Sequence, residues 1–245
     1  MSHAMVRSSS IFAAVGLAAA AAAATMGVDP PDLRVNEISG LIETVDATWS
    51  GSNYNVRYTV MNGAGVLSSS IFLSVNAADD LDPRIIINGV GDAYVSWWRD
   101  AAKDLVIYRK KTYATGVWAP EHTVGLNTES NARPRVALAF GKAWVVFQVQ
   151  NARSRSIAAQ VIDDDPEPIR SIVATTSYSG DLDVQAHSEL NHFWITWIDT
   201  SSRVGYSEYS ADKRLWGMAG YESFASDSVS AARARIRARL LNTNQ

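Results

Sequence analysis

The sequence contains no cysteine. That removes disulfides, thiolate metal sites and thiol nucleophiles together, so the fold has to be held by its core. A chain of 245 residues with 47% apolar content has enough material for one. There is no excess of positive charge either: 22 Lys and Arg stand against 25 Asp and Glu. A net charge of −3 gives no basic surface for nucleic acid. G-x-S-x-G and the P-loop are both missing, so acyl and phosphoryl transfer find no support. Helical periodicity is nearly absent from the middle of the chain.

Long apolar runs are scarce as well. The clearest is the Ala-rich stretch over residues 11–24, preceded by Arg7. It is shorter than the ~20 residues that cross a bilayer. A short basic start, an apolar run and an A-x-A site at Ala22–Ala24 form the layout of a secretory signal peptide. The expectation is a cleaved leader at 1–26 and a secreted or periplasmic domain at 27–245 with no membrane span, rather than an uncleaved anchor.

What the sequence does have is a period. Arg34, Arg84, Arg135, Gln185 and Arg235 follow one another at steps of 50 or 51 residues. An aromatic closes an apolar run 12 to 15 residues after each of the first four: Trp49, Trp97, Phe147 and Trp197. A third run follows in each unit ("NVRYTV", "LVIYRK", "SIAAQV", "VGYSEY"), then a weaker fourth ("VLSSSIFLSV", "VWAPEHTV", "PIRSIVAT", "RLWGMAGYESF"). The runs alternate with period two, and Gly, Asp, Asn, Ser and Pro clusters separate them, as strands and turns require. The fold class is therefore all-β. A four-stranded unit repeated every ~50 residues predicts a small β-propeller. Its repeats lie near 32–81, 82–132, 133–182 and 183–232, with an incomplete fifth at 233–245, and the four repeated aromatics are expected between blades.

The pattern "PRI…GDAYVSW…LVIY" resembles the bacterial sialidase-like, or BNR-type, propeller repeats, which also occur in lectin propellers. The resemblance covers about residues 32–239 and implies a glycan-related role. The Asp-box S-x-D-x-G-x-T-W is poorly kept: "SADKRLW", with Ser210, Asp212 and Trp216, lacks the glycine and one residue. A sialidase would hold its substrate carboxylate with an arginine trio, for which the resemblance offers Arg34, Arg84 and Arg135. Repetition alone explains the three as residues that serve the blade, and that reading is the favoured one.

No catalytic constellation can be assembled. Glu43, Asp46, Asp92 and Asp199 are candidate carboxylates, but no spacing pairs two of them as glycoside hydrolysis demands. His122, His187 and His192 occupy different repeat positions. His187, Glu189 and His192 lack a further ligand motif, so solvated imidazoles are the expectation and a metal is not. The acidic loops at 79–83 and 163–168 could hold Ca²⁺ through oxygen ligands, but neither has EF-hand spacing. No cofactor is expected.

The aromatics carry the functional signal. Eight Trp and nine Tyr exceed what the core requires. Trp98, next to Trp97, must face the opposite side of its strand, and Trp118 and Trp216 fall on outer strands. Exposed indoles flanked by polar groups suit the C–H faces of sugar rings. Arg233, Arg235, Arg237 and Arg239 alternate along the last repeat, which is either a strand with one basic face or a short helix; register with the repeat favours the strand. Such a face would suit a channel lining, an acidic partner or an anionic surface polymer; a solvated tail is the slightly favoured alternative. The expected function is an exported, non-catalytic binding module for a glycan or a partner protein. The alternatives are a subunit of an extracytoplasmic assembly and a sialidase-like hydrolase.

Overall fold

The computed structural model describes residues 31–126, 129–151, 155–162, 170–175, 178–187, 192–199, 203–210 and 215–222. The leader at 1–26, the acidic loop at 163–168, Glu189 and the four C-terminal arginines lie outside the described residues.

The period-two alternation produces strands throughout, and no helix occurs among the described residues. Strands β1 (Asp32–Asn36), β2 (Leu41–Trp49), β3 (Tyr54–Met61) and β4 (Leu67–Phe72) form the first antiparallel sheet in chain order. The second contains β5 (Asp79–Ile87), β6 (Ala93–Asp100), β7 (Leu105–Lys111) and β8 (His122–Val124). The third runs β9 (Ser130–Ala139), β10 (Lys142–Gln150), β11 (Arg155–Val161), β12 (Arg170–Thr175). In the fourth, β13 (Tyr178–His187), β14 (His192–Asp199) and β15 (Val204–Ser210) are followed by an outer strand in two pieces. These pieces, β16 (Leu215–Trp216) and β17 (Gly220–Glu222), both pair with β15. Each sheet is a four-stranded antiparallel meander, the kind of unit of which a propeller blade is made.

The chain divides into two compact units, 1–123 and 124–245. In the first, Val45, Val56, Tyr58 and Val60 of one sheet pack on Ile85, Val95, Trp97 and Ile107 of the next. In the second, Trp144, Val146, Ile157 and Ala159 pack on Leu182, Phe193, Ile195, Trp197 and Tyr209. Trp97, Phe147 and Trp197 are fully buried. Trp49 corrects the expectation for the fourth aromatic: it is 48% exposed. It lies 15 residues after its anchor rather than 12 or 13, and those extra residues carry it past the packed part of β2 to the turn. Val45 and Tyr58 fill the core in its place.

The first strand of a sheet repeatedly carries an irregularity. The β5–β6 register shifts between Leu81 and Arg84, the β9–β10 register between Val146 and Gln148, and the β13–β14 register between Tyr178 and Leu182. Two of these bulges are built alike. Asp82 and Arg133, each just before a proline, adopt left-handed backbone with φ of 49° and 52°, where non-glycine residues are uncommon. In both, the repeated arginine follows the proline directly.

Candidate functional site

The turn after β2 reads "SGSN". Gly51 supplies a φ of 103°, which costs glycine little. The Ser50 amide donates to the Asn53 carbonyl at 2.9 Å. Asn53 is buried, and its Nδ2 donates to the carbonyls of Asn76 and Ala78, each at 2.9 Å. The Tyr54 amide donates to Asp79 Oδ1 at 2.8 Å. These bonds fix the turn on its sheet and on the start of β5.

On that fixed turn, Trp49 and Tyr54 stand opposite each other in the ladder. Their rings meet edge to face, with centroids 5.2 Å apart and planes at 65°, a favoured aromatic geometry. Among the described residues, Trp49 is the only tryptophan in the exposed class. The hydroxyls of Ser50 and Ser52 flank it, donating to Asn53 at 2.9 and 2.8 Å and leaving lone pairs free to accept. Asp79, which accepts from the Tyr54 amide, stands opposite the exposed Asp100 where β5 begins and β6 ends. The result is an exposed indole surface beside a hydrogen-bonded turn that carries two hydroxyls.

The tryptophans singled out from sequence take other places. Trp118 packs on the first core, its ring 5.0 Å from Tyr58 and 5.9 Å from the Arg109 guanidinium carbon. Trp216 lies against Phe193 and Tyr209, and its Nε1 donates to Ser171 Oγ at 2.8 Å. Trp98 is half-buried. Its Nε1, the Ser96 Oγ and the Arg84 Nε are buried and find no hydrogen-bond partner among the described residues. These three are neighbours, since Arg84 stands opposite Ser96 and Trp98 shares the face of Ser96. The indole nitrogens of Trp97 and Trp197 are also without partners, but within the apolar core.

Each repeated arginine is held close to home. Arg34 Nη1 bonds Asp32 Oδ1 at 3.0 Å, and Arg84 Nη2 bonds Asp82 Oδ1. Arg135 donates from Nε to the Leu182 carbonyl at 2.9 Å and from Nη1 to the Pro134 carbonyl at 2.8 Å.

The candidate carboxylates are likewise tied to separate partners. Glu43 is buried and accepts from Asn36 Nδ2 at 2.9 Å, Tyr58 Oη at 2.5 Å and Lys111 Nζ at 3.1 Å. Lys111 also bonds Tyr58 Oη. Burial first, then the bond to Glu43 and its charge, push the Tyr58 hydroxyl far above the ordinary tyrosine range. It therefore holds its proton and is no nucleophile. Asp46 pairs with Arg57 at 2.6 Å, Asp199 with Arg203 at 2.7 Å, and Asp92 lies 3.8 Å from Lys110 Nζ. His122 is exposed and stacks on Tyr108 at 5.2 Å. His187 and His192 face each other where β13 hands over to β14; their side chains lie outside the described residues. Among the described residues no group of three His, Asp or Glu could hold a metal, and no helix is long and apolar enough to cross a membrane.

No protein-family model and no curated protein sequence matches this chain. Solved structures do. NanB sialidase from Streptococcus pneumoniae aligns over 81% of this chain with a TM-score of 0.57 and 9% identity. The fold is sialidase-like. This chain spans about half of NanB, covering 52% of it. An endo-arabinase from Bacteroides thetaiotaomicron aligns over 82% of each chain, with a TM-score of 0.55 and 11% identity. An exo-β-1,3-galactanase from Clostridium thermocellum aligns over 78% of this chain and 47% of its own, with a TM-score of 0.52 and 9% identity. At such identities the likeness concerns fold alone.

Sequence reasoning assigned Trp49 to the core and so missed the exposed platform. The signal available was its offset of 15 residues, out of step with the other three aromatics.

Proposed function

We propose that this chain is an exported, non-catalytic binding module whose ligand is a carbohydrate stacked on Trp49. The carrying observation is the exposed indole fixed edge to face on Tyr54. A flat exposed apolar surface fits the C–H face of a pyranose, and the hydroxyls of the adjoining turn suit its polar edge. The sialidase, arabinase and galactanase among the structural neighbours act on glycans by their names, which favours a sugar over other hydroxylated ligands. A binding role rather than hydrolysis is supported by the separate neutralisation of Glu43, Asp46, Asp92 and Asp199. Export rests on the leader pattern alone.

The test is a broad glycan array probed with the full chain, with and without calcium, followed by titration of the best glycan against variants. Trp49→Ala should weaken binding by about 2 kcal/mol, roughly 30-fold, as for a buried aromatic anchor, with unchanged circular dichroism. Loss on Trp98→Ala with Trp49→Ala unaffected would move the ligand to the Arg84–Ser96–Trp98 face and refute the platform. An array silent for correctly folded protein would refute a carbohydrate ligand.

A further inference from the structure

The sequence contains two Asn-Gly pairs, Asn62-Gly63 and Asn88-Gly89. Each opens a turn of the same N-G-x-G design, the first between β3 and β4 and the second between β5 and β6. The Asn62 amide donates to the Val66 carbonyl at 3.0 Å, and the Gly65 amide to the Asn62 carbonyl at 2.8 Å. The matching bonds, from Asn88 to Asp92 and from Gly91 to Asn88, are both 2.9 Å. In both turns two backbone amides hold the side-chain carbonyl. Asn62 Oδ1 accepts from Ala64 and Val66, each at 3.0 Å. Asn88 Oδ1 accepts from Val90 at 3.1 Å and from Asp92 at 2.9 Å.

Two donors on an amide oxygen stabilise the negative charge that develops there when a nucleophile adds to its carbon. The backbone nitrogen of the next residue is placed to close a small ring onto that carbon. In Gly63 and Gly89 no Cβ shields this nitrogen, and neither amide makes a hydrogen bond among the described residues. The turns differ in what braces them. Asn88 is half-buried and Gly91 buried. The Gly91 carbonyl accepts from Asn36 Nδ2 at 3.2 Å, Asp92 Oδ1 accepts from the Tyr113 amide at 2.8 Å, and the Tyr113 ring lies against Gly91. Residues 62–66 are all exposed, and among the described residues their hydrogen bonds run only within the turn.

We propose that Asn62-Gly63 is a self-modification site, where Asn62 converts to aspartate and isoaspartate while the braced Asn88 is spared. The Gly63 nitrogen gives its proton to a solvent base, and its electron pair forms a bond to Asn62 Cγ as the carbonyl π electrons move onto Oδ1. When they return, the Cγ–Nδ2 bond breaks and ammonia leaves with a proton from solvent. Water then opens the cyclic imide at either carbonyl. One water is consumed and one ammonia released, with no oxidant or reductant. The product changes its surroundings, since no charged residue occurs between Arg57 and Asp79. It sets a carboxylate in the turn leading into β4, an exposed strand that pairs only with β3 in its sheet. Charge is one means by which such edges are kept from pairing. The inference is independent of the carbohydrate reading.

The test holds the full chain in mildly alkaline buffer and follows both Asn-Gly peptides by mass spectrometry, reading the exchange of NH₂ for OH and the isoaspartate formed. Local opening precedes the attack, and its free energy rises with the bonds released. The two bonds that brace the Asn88 turn correspond to a reaction roughly tenfold slower there than at Asn62. In urea the two peptides should react at nearly equal rates, because the fold alone separates them. Gly63→Ala places a Cβ with nothing within 4 Å, at a backbone outside the left-handed region. It should fold as wild type by circular dichroism and lose most of the Asn62 reaction. Equal rates in the folded chain, or a faster Asn88, would overturn the inference. So would an Asn62 that stays intact in the folded chain while the urea-unfolded chain reacts, or folded Gly63→Ala reacting as fast as wild type.

Discussion

Lys111→Met should be among the most damaging single changes in the first unit. Lys111 is mostly buried, its side chain 13% exposed, and stands 3.1 Å from a Glu43 carboxylate that is 2% exposed. Methionine keeps most of the volume and removes the cation. Glu43 would retain Asn36 and Tyr58 as donors but become a buried anion without a counter-charge, a loss of about 3–5 kcal/mol. At roughly 3–4 °C per kcal/mol for a domain of this size, the melting temperature should fall by roughly 10–20 °C. The double variant Glu43→Gln/Lys111→Met leaves no buried charge and should recover most of the loss. Arg34→Ala is the contrasting case. Its partner Asp32 is bonded at 3.0 Å, but the Arg34 side chain is 46% exposed, so screening keeps the effect below about 1 kcal/mol. Urea unfolding followed by tryptophan fluorescence reads all three variants. If Lys111→Met costs under ~1 kcal/mol, or the double variant is no better than the single, Glu43 is not held as a buried ion and the reasoning fails.

Two other outcomes follow from the packing. Because the folded chain keeps the Tyr58 proton above the value of 10.0 at which an unfolded tyrosine loses it, the stabilisation is complete below pH 10 and declines as pH rises beyond it. The decline approaches about 1.4 kcal/mol per pH unit. Urea midpoints between about pH 9 and 12 should show a steeper fall for wild type than for Tyr58→Phe, and parallel curves would exclude the effect. Gly205 stands opposite Trp197 in the ladder, and a Cβ there would lie 2.2 Å from Trp197 Cε2. Trp197 is fully buried and cannot yield, so Gly205→Ala should cost about 1–3 kcal/mol in a thermal melt. Gly217→Ala, whose Cβ meets only a backbone oxygen at 3.5 Å, should change stability by under ~0.5 kcal/mol; equal effects would refute the contact.

Much of the fold was legible because it is local and repeated. Period-two runs and turn residues recur about every 50 positions, and the first three runs of each repeat became strands, whereas the fourth is as short as His122–Val124 or broken into Leu215–Trp216 and Gly220–Glu222. What was not legible depends on which strands become neighbours. Trp118 corrects the expectation of an outer strand, since it precedes β8 and makes only an isolated bridge to Lys111. It and Trp216 turn inward onto Tyr58 and Phe193, because a large ring at a sheet edge is buried where the adjoining face is apolar. Trp49 shares an alternation face with Val45 and is exposed only because β2 outruns the core. The exposure of β4 likewise comes from its being last in its meander.

The repeated arginines show the same division. Their period was visible; its cause was not. In two sheets the arginine follows a bulge whose central residue is left-handed, and it bonds that bulge: Arg84 reaches Asp82, and Arg135 reaches the Pro134 carbonyl. Left-handed backbone at a non-glycine residue costs of order 1–3 kcal/mol and persists only when its surroundings over-determine it. A guanidinium with fixed fork geometry is well suited to that task. The arginine therefore recurs because the bulge recurs. In Arg84 and Arg135 the nitrogens engaged in this way serve the fold, which favours the structural reading of those two. The Arg84 Nε, buried without a partner beside Ser96 and Trp98, keeps a donor in reserve. Arg84→Lys separates the two roles. Lysine cannot reproduce the fork, so a purely structural arginine predicts lost stability with unchanged glycan affinity, whereas lost affinity at unchanged stability would give Arg84 to the ligand.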